Sequence, residues 1–327
     1  MNAILCFGEA LIDFHGQAAA DAGSPPVFVP HAGGAPANVA VGVARLGGPA
    51  AFIGMLANDM FGELLLAQLH AAGVDTRHVV RTDEAHTALA FVSHAAGGER
   101  SFSFYRPPAA DLLFREVHFD DAVFRGATAF HACSNSLTEA AIAHVTVQGM
   151  RRARAADALV SFDMNLRPAL WPRGEDPAPQ LWRALAEADL VKLSAEELAF
   201  LAVMPGGEPA VFERLWQGPA QLVVVTDGAS GLRWFTRNRA GELPAFRVTA
   251  VDTTGAGDAF VAGLLYRLGS AGIGTKDLAT LADADDRRGD MLRYAAACGA
   301  LAVTRAGSFA AMPTHDAVHT FLQQHAQ

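Results

Sequence analysis

The sequence has few cysteines and no Cys-x-x-Cys pair. Its three cysteines, Cys6, Cys133 and Cys298, are far apart, and each lies in an apolar stretch. This pattern argues against a disulfide framework and predicts buried thiols in a reducing compartment. The 12 histidines show no metal-ligand spacing, which argues against a zinc site.

Long hydrophobic runs are also missing. No apolar run approaches the ~18 residues that a membrane-spanning helix needs. The early acidic residues Glu9 and Asp13, with no basic residue before them, argue against a secretory signal. We therefore expect a cytoplasmic protein with no membrane partner.

Positive charge is scarce, because 25 Lys and Arg against 34 Asp and Glu give a formal net charge of -9. Nucleic-acid binding draws much of its affinity from neutralised phosphates, so this balance argues against a nucleic-acid partner. Net acidity does not exclude an anionic ligand, whose binding depends on local groups. The chain lacks a Gly-x-x-x-x-Gly-Lys-Ser/Thr motif and a full Gly-x-Gly-x-x-Gly, which argues against a P-loop protein and a dinucleotide enzyme.

What the sequence does contain is a regular alternation of short apolar runs and helical patterns. We predict strands at residues 4–8, 51–54, 159–162, 190–193, 222–226 and 232–235. We predict helices at residues 38–46, 60–72, 138–155, 256–268, 287–303 and 315–324, with an irregular loop at 168–180 and a polar loop at 283–290. Strands separated by helices indicate an α/β domain over residues 1–327 with a mostly parallel central sheet.

Two segments, about residues 11–32 and 86–108, break this rhythm. In the second, alternating residues on either side of Ala95-Ala96-Gly97-Gly98 are typical of a β-hairpin. We predict that the two segments form a small β-sheet that covers the main domain as a lid. Its apolar face is also a candidate contact for a homodimer.

The strongest motif runs from Asp252 to Phe260 and reads DTTGAGDAF. Glycines at 255 and 257 let the backbone approach a ligand closely, and the helix that follows begins with unpaired N–H groups, so the motif predicts an anion site. Asp258, in the first helical turn, has two interpretations. It is a dipole or capping residue, or it is a general base beside the phosphate site.

This segment resembles the C-terminal signature of the ribokinase-type (PfkB) carbohydrate kinases. Residues 33–38, which read GGAPAN, resemble the N-terminal signature of the same family, and the two occur in the family's order. Within the family, the chain is most similar to fructokinases. The resemblance implies a three-layer α/β/α ribokinase-like fold. It also implies that Asp258 is the catalytic base and that Gly255, Ala256 and Gly257 form the anion hole.

The resemblance further implies a sugar site. Residues 102–107 (FSFYRP) resemble the fructokinase lid segment, and residues 162–172 (FDMNLRPALWP) resemble a strand-end motif of the same enzymes. The residues expected to contact the sugar are Asp13, Gly33, Gly34, Asn38, Phe104, Arg106, Asn165 and Arg167. Alternatives remain open: Asp13 as a turn residue, Asn38 as a helix cap, and Arg106 and Arg167 as structural ion pairs or as carboxylate ligands of a keto-deoxy acid sugar.

Nucleotide and cation sites follow by resemblance as well. The residues expected to bind ATP are Lys192, Ser194, Thr226, Gly228, Gly231, Thr254, Gly255, Gly257 and Ala297, with residues 295–299 beside the adenine. Ser194 and Glu197 also read as a capping box, a role compatible with Glu197 holding Mg²⁺ through water. The carbonyls of Asp252, Thr254 and Gly307 are candidate K⁺ ligands.

The expected activity is transfer of the ATP γ-phosphoryl group to D-fructose, with ATP, Mg²⁺ and K⁺ as cofactors. The nearest alternative is a kinase for 2-keto-3-deoxygluconate, ribose or a nucleoside. A non-catalytic sugar-binding protein is a more remote alternative, because it would leave the residue 255–258 motif without a purpose.

Overall fold

A computed structural model describes residues 2–17, 25, 27–94, 100–283 and 285–325. Within these ranges the strands are β1 (Ile4–Phe7), β2 (Leu11–Gln17), β3 (Val27–Gly33), β4 (Ala50–Ala57), β5 (Val79–Thr82), β6 (Leu89–His94), β7 (Arg100–Tyr105), β8 (Ala129–Cys133), β9 (Leu159–Asp163), β10 (Leu190–Ser194), β11 (Leu222–Thr226), β12 (Leu232–Phe235) and β13 (Ala240–Leu243). The helices are α1 (Ala35–Arg45), α2 (Met60–Ala71), α3 (Asp121–Phe124), α4 (Ala140–Ala155), α5 (Ala178–Leu185), α6 (Ala195–Leu201), α7 (Gly207–Gln217), α8 (Ala256–Ser270), α9 (Thr275–Asp283), α10 (Asp285–Ala302), α11 (Ser308–Ala311) and α12 (His315–Gln324).

The main sheet is mostly parallel, as predicted. Over the described part of the chain, its strand order is β13-β12-β11-β10-β9-β8-β1-β4-β5. The seven strands from β11 to β5 pair in parallel, and β12 and β13 continue the sheet as antiparallel strands. The carboxyl ends of the parallel strands therefore meet along one edge, where ligands bind in such folds.

Both faces of this sheet are covered. In β1, Ile4 and Cys6 belong to one hydrophobic cluster, shared with α1, α8 and α10, whereas Leu5 and Phe7 belong to a second cluster, shared with α4, α5 and α6. Because successive side chains of a strand point to opposite faces, the two clusters lie on opposite sides of the sheet. The fold has three α/β/α layers, which confirms the predicted class.

The lid strands form a separate sheet in the order β3-β2-β6-β7. β6 and β7 pair antiparallel with Leu89 opposite Tyr105, which confirms the predicted hairpin strands. The predicted hairpin turn at residues 95–98 lies outside the described residues, as do residues 18–24 and 26 of the first lid segment. β2 joins the two halves of the lid because it pairs antiparallel with β3 and parallel with β6.

The predicted polar loop at residues 283–290 is wrong. α9 extends to Asp283 and α10 begins at Asp285. Arg288, in this polar segment, is buried in the structure. It is only 2% exposed, and its guanidinium lies 3.6 Å from the centroid of the Trp234 ring. An arginine that stacks on an aromatic face can anchor a helix end to the core, so polarity alone does not indicate a loop here.

The prediction of buried thiols is confirmed. The three cysteines are buried and carry free thiols. Across the described ranges, none of the helices is both long and apolar enough to cross a membrane.

Candidate active site

A cleft of about 690 Å³ lies at the carboxyl edge of the main sheet. Glu9 enters it just after β1, Ser194 at the end of β10 and Thr226 at the end of β11. Leu11 and Phe104, from the lid sheet, line the opposite side. The cleft is therefore closed by the main sheet below and by the lid above, the arrangement that an α/β sheet offers to a ligand.

The amino end of α8 faces this cleft. Gly255 precedes the helix with a left-handed φ of 77°, a conformation that glycine adopts without steric cost. The first amide of the helical ladder belongs to Ala259, which donates to the carbonyl of Gly255 at 2.8 Å. The amides of Gly257 and Asp258 precede that bond, so the helix presents main-chain donors and the positive end of its dipole to the cleft.

Lys192 lies against this helix end. A Cβ atom added to Gly257 would lie 3.0 Å from Lys192 Nζ, so only glycine leaves that approach open. Lys192 Nζ pairs with Asp163 Oδ1 at 3.1 Å, and both side chains are buried. Burial alone would lower the pKa of Lys192, but Asp163 and Glu197 outweigh it and raise that pKa. The ammonium group therefore adds a fixed positive charge to the anion site.

Asp258 lies in the first turn of α8 and lines the same cleft. It is 8% exposed, and its Oδ2 accepts a hydrogen bond of 2.7 Å from Asn38 Nδ2. Burial raises the pKa of Asp258 to about 7, and the negative charge of Asp163 acts in the same direction against the opposing effects of Asn38, Lys192 and Arg167. A carboxylate with a pKa near neutrality is well matched to accept a proton from a hydroxyl.

Asp13 lies on β2 of the lid, within the same cleft. Burial raises the pKa of Asp13 to about 7, and the charges of Asp258 and Asp252 act in the same direction. A Cβ added to Gly33 would overlap Asp13 Oδ2, and one added to Gly34 would lie 2.5 Å from the Glu9 carbonyl oxygen. The two glycines are therefore required for the close packing of lid and helix α1 around this carboxylate.

The predicted capping box is present at the start of α6. The main-chain N–H of Glu197 donates to Ser194 Oγ at 3.1 Å, and that of Ser194 donates to Glu197 Oε2 at 2.7 Å. Glu197 Oε1 also accepts a hydrogen bond from the Leu166 main chain at 2.7 Å. Burial raises the pKa of Glu197 despite Lys192 nearby. Its carboxylate thus caps the helix and also holds the loop at Leu166 against it.

A second cavity, of about 310 Å³, adjoins the cleft at Thr226, Gly228 and Gly257. Its remaining walls are mainly apolar and include Leu232, Phe246, Val248, Phe260, Ala296, Gly299 and Ala300. Such a slot, next to a helix end that carries main-chain donors, can hold a flat apolar ring whose phosphates reach the helix.

The sequence matches the pfkB family carbohydrate kinases over residues 1–315. The chain belongs to this family. It is 41% identical to Fructokinase-1 of Zea mays over 325 residues, with 98% of each chain covered. A fructokinase from Xylella fastidiosa, solved with bound ATP, is 55% identical and superposes with a TM-score of 0.95 over 99% of each chain. A fructokinase from Vibrio cholerae O395, solved with fructose, ADP and a calcium ion, is 33% identical, with a TM-score of 0.84 over 98% of this chain and 99% of that one.

Most of the predicted site residues of this carbohydrate kinase meet in the cleft. Those that line it are Asp13, Gly34, Asn38, Phe104, Asn165, Arg167, Lys192, Ser194, Glu197, Thr226, Gly228, Thr254, Gly255, Ala256, Gly257 and Asp258. They come from the lid, from α1 and α8, and from the ends of the central strands. Residues separated by more than 200 positions in sequence therefore share one site, as the predicted kinase site requires.

Other predicted residues lie elsewhere. Gly231 lines only the second cavity, and Ala297 is fully buried in the core, whereas its neighbours Ala296 and Gly299 face that cavity. Because α10 turns by about 100° per residue, only one face of residues 295–299 can reach the nucleotide side. Ala297 therefore does not line the second cavity, whereas Ala296 and Gly299 of the same predicted segment do.

Arg106 does not reach the cleft of the kinase. Its Nε and a terminal guanidinium nitrogen donate to Asp111 Oδ2, the former at 2.9 Å, and both side chains are buried. The prediction that Arg106 contacts the sugar is therefore wrong. The alternative prediction, a structural ion pair, is the one that the structure shows. Arg167, by contrast, is exposed at the cleft.

Sequence reasoning missed three buried polar residues of the kinase site. Glu9 and Asn135 line the cleft, and Asp163 pairs with Lys192 at its floor. Asp163 and Glu9 each stand at the carboxyl end of a predicted strand, which is a usable signal. Asn135 follows β8, a strand that the sequence pattern did not reveal.

Proposed function

We propose that this carbohydrate kinase transfers the γ-phosphoryl group of ATP to the primary C6 hydroxyl of D-fructose, giving fructose 6-phosphate and ADP. One observation carries the proposal: the buried Asp258 lies in the first turn of α8, accepts a hydrogen bond from Asn38, and shares the cleft with Asp13. Burial raises the pKa of Asp258 to about 7, which suits a general base. The fructokinase names of its full-length relatives support fructose as the acceptor.

The sugar side is proposed to hold the acceptor through Asp13 and Asn38. Asp13 can accept hydrogen bonds from hydroxyls, and Asn38 Oδ1 is a buried acceptor without a partner among the described residues. Gly33 and Gly34 allow the main chain to approach the sugar, while Asn165, Arg167 and Phe104 complete the wall. A polyhydroxylated ligand matches this excess of acceptors.

In the proposed reaction, the C6 oxygen attacks the γ-phosphorus while the bond from that phosphorus to the β,γ-bridging oxygen breaks. Asp258 takes the C6 hydroxyl proton, and ADP leaves with the electron pair of the broken bond. The amides of Gly255, Ala256 and Gly257 stabilise the negative charge on the transferred group. The lid strands keep competing water away from the acceptor position.

ATP is proposed to bind across the cleft and the second cavity. The adenine occupies the apolar slot beside Ala296 and Gly299, and the phosphates extend past Thr226 and Gly228 toward the start of α8. Lys192 supplies a fixed positive charge at the γ-phosphate end, where Gly257 permits its approach.

Mg²⁺ fits this site as an ion that enters with ATP. Within the described ranges, no group of three His, Cys, Asp or Glu is arranged to hold a metal by itself. Mg²⁺ retains several waters and combines phosphates with one or two carboxylates, a role that Glu197 can fill through water because its oxygens already accept main-chain N–H groups. When bound, the ion neutralises charge on the phosphates.

K⁺ is proposed beside the anion hole. The buried carboxylate of Asp252 accepts hydrogen bonds from the main chain of Thr254 at 2.9 Å and of Gly307 at 3.2 Å, and so joins two loops next to α8. The main-chain carbonyl oxygens of Asp252, Thr254 and Gly307 are the proposed ligands, because K⁺ binds well to carbonyl oxygens.

We also propose a cytoplasmic homodimer that forms through the lid. Three large side chains of the lid sheet, Val27, Phe28 and Tyr105, are 52%, 40% and 68% exposed. Their exposure suits an interface, since apolar groups on a small sheet gain free energy when a partner covers them. Light scattering at several protein concentrations tests this assembly.

A coupled ADP-release assay with ATP tests the proposed activity. The acceptors are D-fructose, ribose, 2-keto-3-deoxygluconate and a nucleoside, each with and without Mg²⁺ and K⁺. We expect the highest kcat/KM with D-fructose, and loss of turnover after chelation of Mg²⁺. Preference for the acidic sugar would assign Arg167 to its carboxylate and overturn the fructose proposal. Sugar binding without ADP release would favour the non-catalytic alternative.

A further inference from the structure

One polar side chain in the cleft has unused hydrogen-bonding capacity that the proposed reaction does not explain. Asn135 lies in a short 3-10 turn after β8, is only 6% exposed, and lines the cleft. Its Nδ2 donates to Glu9 Oε1 at 2.9 Å, whereas its Oδ1 accepts no hydrogen bond from any described residue. A buried amide oxygen without a donor is unfavourable, so it indicates a ligand that supplies one.

Glu9 fixes which way this amide points. Its Oε1 also accepts a hydrogen bond of 3.1 Å from the main-chain N–H of Ala35, at the start of α1. Burial raises the pKa of Glu9, and the positive charge of Arg106 opposes this effect. With the carboxyl group ionised, its oxygens can only accept, so the Asn135 group that faces Oε1 is the NH₂ group. The amide oxygen of Asn135 is therefore the end that remains available to a ligand.

Arg106 binds the main chain of Asn135. One guanidinium nitrogen donates to the Asn135 main-chain oxygen at 2.6 Å, while the others bind Asp111. Arg106 follows directly after lid strand β7 and is 2% exposed. A planar, fully buried guanidinium that bridges two partners leaves the Asn135 backbone little freedom, so the lid and this wall of the cleft are joined.

We propose that Asn135 is a specificity-determining residue for the acceptor sugar, and that Arg106 is its positioning residue. Asn135 Oδ1 accepts a hydrogen bond from one sugar hydroxyl other than the phosphorylated one. A sugar that lacks this hydroxyl leaves the buried oxygen unpaired and is discriminated against. The inference rests on the proposed function, because it requires a polyhydroxylated acceptor in the cleft.

A double-mutant cycle between protein and substrate tests the contact. The wild type and Asn135→Leu are assayed with D-fructose and with analogues that each lack one hydroxyl, at C1, C2, C3 or C4. We expect the wild type to lose about tenfold to hundredfold in kcat/KM with one analogue. Asn135→Leu should show a similar loss with D-fructose and almost no further loss with that same analogue.

The contact would be overturned if, for every analogue, the loss from the substitution and the loss from the missing hydroxyl simply multiplied, since independent effects behave in this way. Normal kcat/KM of Asn135→Leu with D-fructose would overturn it as well. Asn135→Ala is the second variant if the leucine disturbs folding, with the circular dichroism spectrum as the check. Calorimetric binding of the same sugars without ATP gives a readout that does not depend on turnover.

Arg106→Lys tests the positioning role. Lysine keeps the charge but cannot hold Asp111 and the Asn135 carbonyl together. We expect the sugar KM to rise about fivefold to tenfold, the KM for ATP to stay unchanged, and discrimination at the same hydroxyl to weaken. The matched control is Arg154→Lys, because Arg154 binds the buried Asp189 at 3.0 Å and does not line the cleft. Equal changes in both KM values, or in both variants, would indicate a structural role only.

Failure of the inference can be distinguished from failure of the proposed function. A wild type that releases ADP with D-fructose but shows multiplicative losses retains its function and refutes the Asn135 contact. A wild type that prefers another sugar refutes fructose, and the cycle is then run on deoxy analogues of that sugar. A wild type that uses and binds no sugar refutes both.

Discussion

The two halves of the cleft are lined by different kinds of chemical group. The half proposed to bind the nucleotide, called the nucleotide half, presents main-chain groups and small residues, represented by Gly228, Gly255 and Gly257. The half proposed to bind the sugar, called the sugar half, presents buried polar side chains, among them Asp13, Asn38 and Asn135. A triphosphate needs many weakly directional donors at close range, which main-chain amides supply, whereas a particular sugar must be recognised by groups of defined position and polarity.

This difference predicts where substitutions act. Changes in the nucleotide half should impair catalysis through crowding, and they should affect ATP more than sugar. Changes in the sugar half should alter recognition and proton transfer. Asp258 belongs to both halves, since it lies in the first turn of α8 and accepts a hydrogen bond from Asn38.

Replacement of Asp258 should therefore give the largest effect. We expect Asp258→Asn to lower kcat by at least about 100-fold, because the variant keeps the shape of the side chain but cannot accept the proton. The measurement is ADP release at saturating ATP and D-fructose. Calorimetry should still detect sugar binding, since the amide oxygen introduced by the substitution can accept the hydrogen bond from Asn38. Turnover near that of the wild type would remove Asp258 from the chemistry.

Gly257→Ala tests the nucleotide half. The added Cβ would lie 3.0 Å from Lys192 Nζ, which Asp163 already holds at 3.1 Å. We expect kcat to fall about tenfold and the KM for ATP to rise, with the sugar KM unchanged. Gly289→Ala is the matched control, because outside its chain neighbours and the nearby backbone of its own helix no atom of the described residues lies within 4 Å of a Cβ there. An equal rise in the sugar KM would contradict the division between the two halves.

The pH dependence of activity tests the sugar half. The pKa values of Asp258 and Asp13 are both raised to about 7, mainly by burial. A general base must be ionised, so kcat/KM for the sugar should fall as pH decreases through about 7, reaching about a tenth of its plateau near pH 6. Asp13→Asn separates the two groups: a remaining fall in that variant assigns the titration to Asp258. A flat profile from pH 6 to pH 8 would show that Asp258 ionises well below neutrality.

The same two halves differ in how far the sequence revealed them. The anion site of the nucleotide half follows from one contiguous segment, residues 252–260, because glycine spacing and a helix start define its geometry locally. The fold class also followed from local patterns. The short strands β5, β8 and β13 were missed because short strands without clear alternation carry little signal, and helices α5, α7 and α9 were missed as well.

The sugar half depends on contacts between distant segments. Arg106 looked like a ligand residue, yet it binds Asp111, Asn135 and Thr138 inside the protein, and only the three-dimensional arrangement shows this. Asn135 follows a strand that the pattern did not reveal, so nothing local marked it. The nucleotide half shows the same limit at one point. The sequence identified the small residues at 295–299 but not the face that lines the second cavity, which includes Ala296 and Gly299 and not Ala297.

The smallest expected effect concerns stability. It compares Asp258, a carboxylate of the cleft, with Asp59, a carboxylate that caps a helix. The pKa of Asp258 is raised above its unfolded value, so its stabilising contribution is present at low pH and is lost as pH rises through about 7. Asp258→Asn removes this titration. We expect the variant to be more stable than the wild type at pH 8 by about 2 kcal/mol, with a smaller difference at pH 5.

Asp59, the N-cap of α2, should behave in the opposite way. Partial burial would raise the pKa of Asp59, but hydrogen bonds from Thr87, Gly62 and Phe61 lower it. Its contribution is therefore present above the unfolded pKa and is lost as pH falls, so Asp59→Asn should be less stable than the wild type at pH 8. Thermal unfolding of both variants at pH 5 and pH 8 measures the two signs. If both substitutions destabilised the protein equally at pH 8, the ionised form of the buried Asp258 would not reduce the stability of the folded protein.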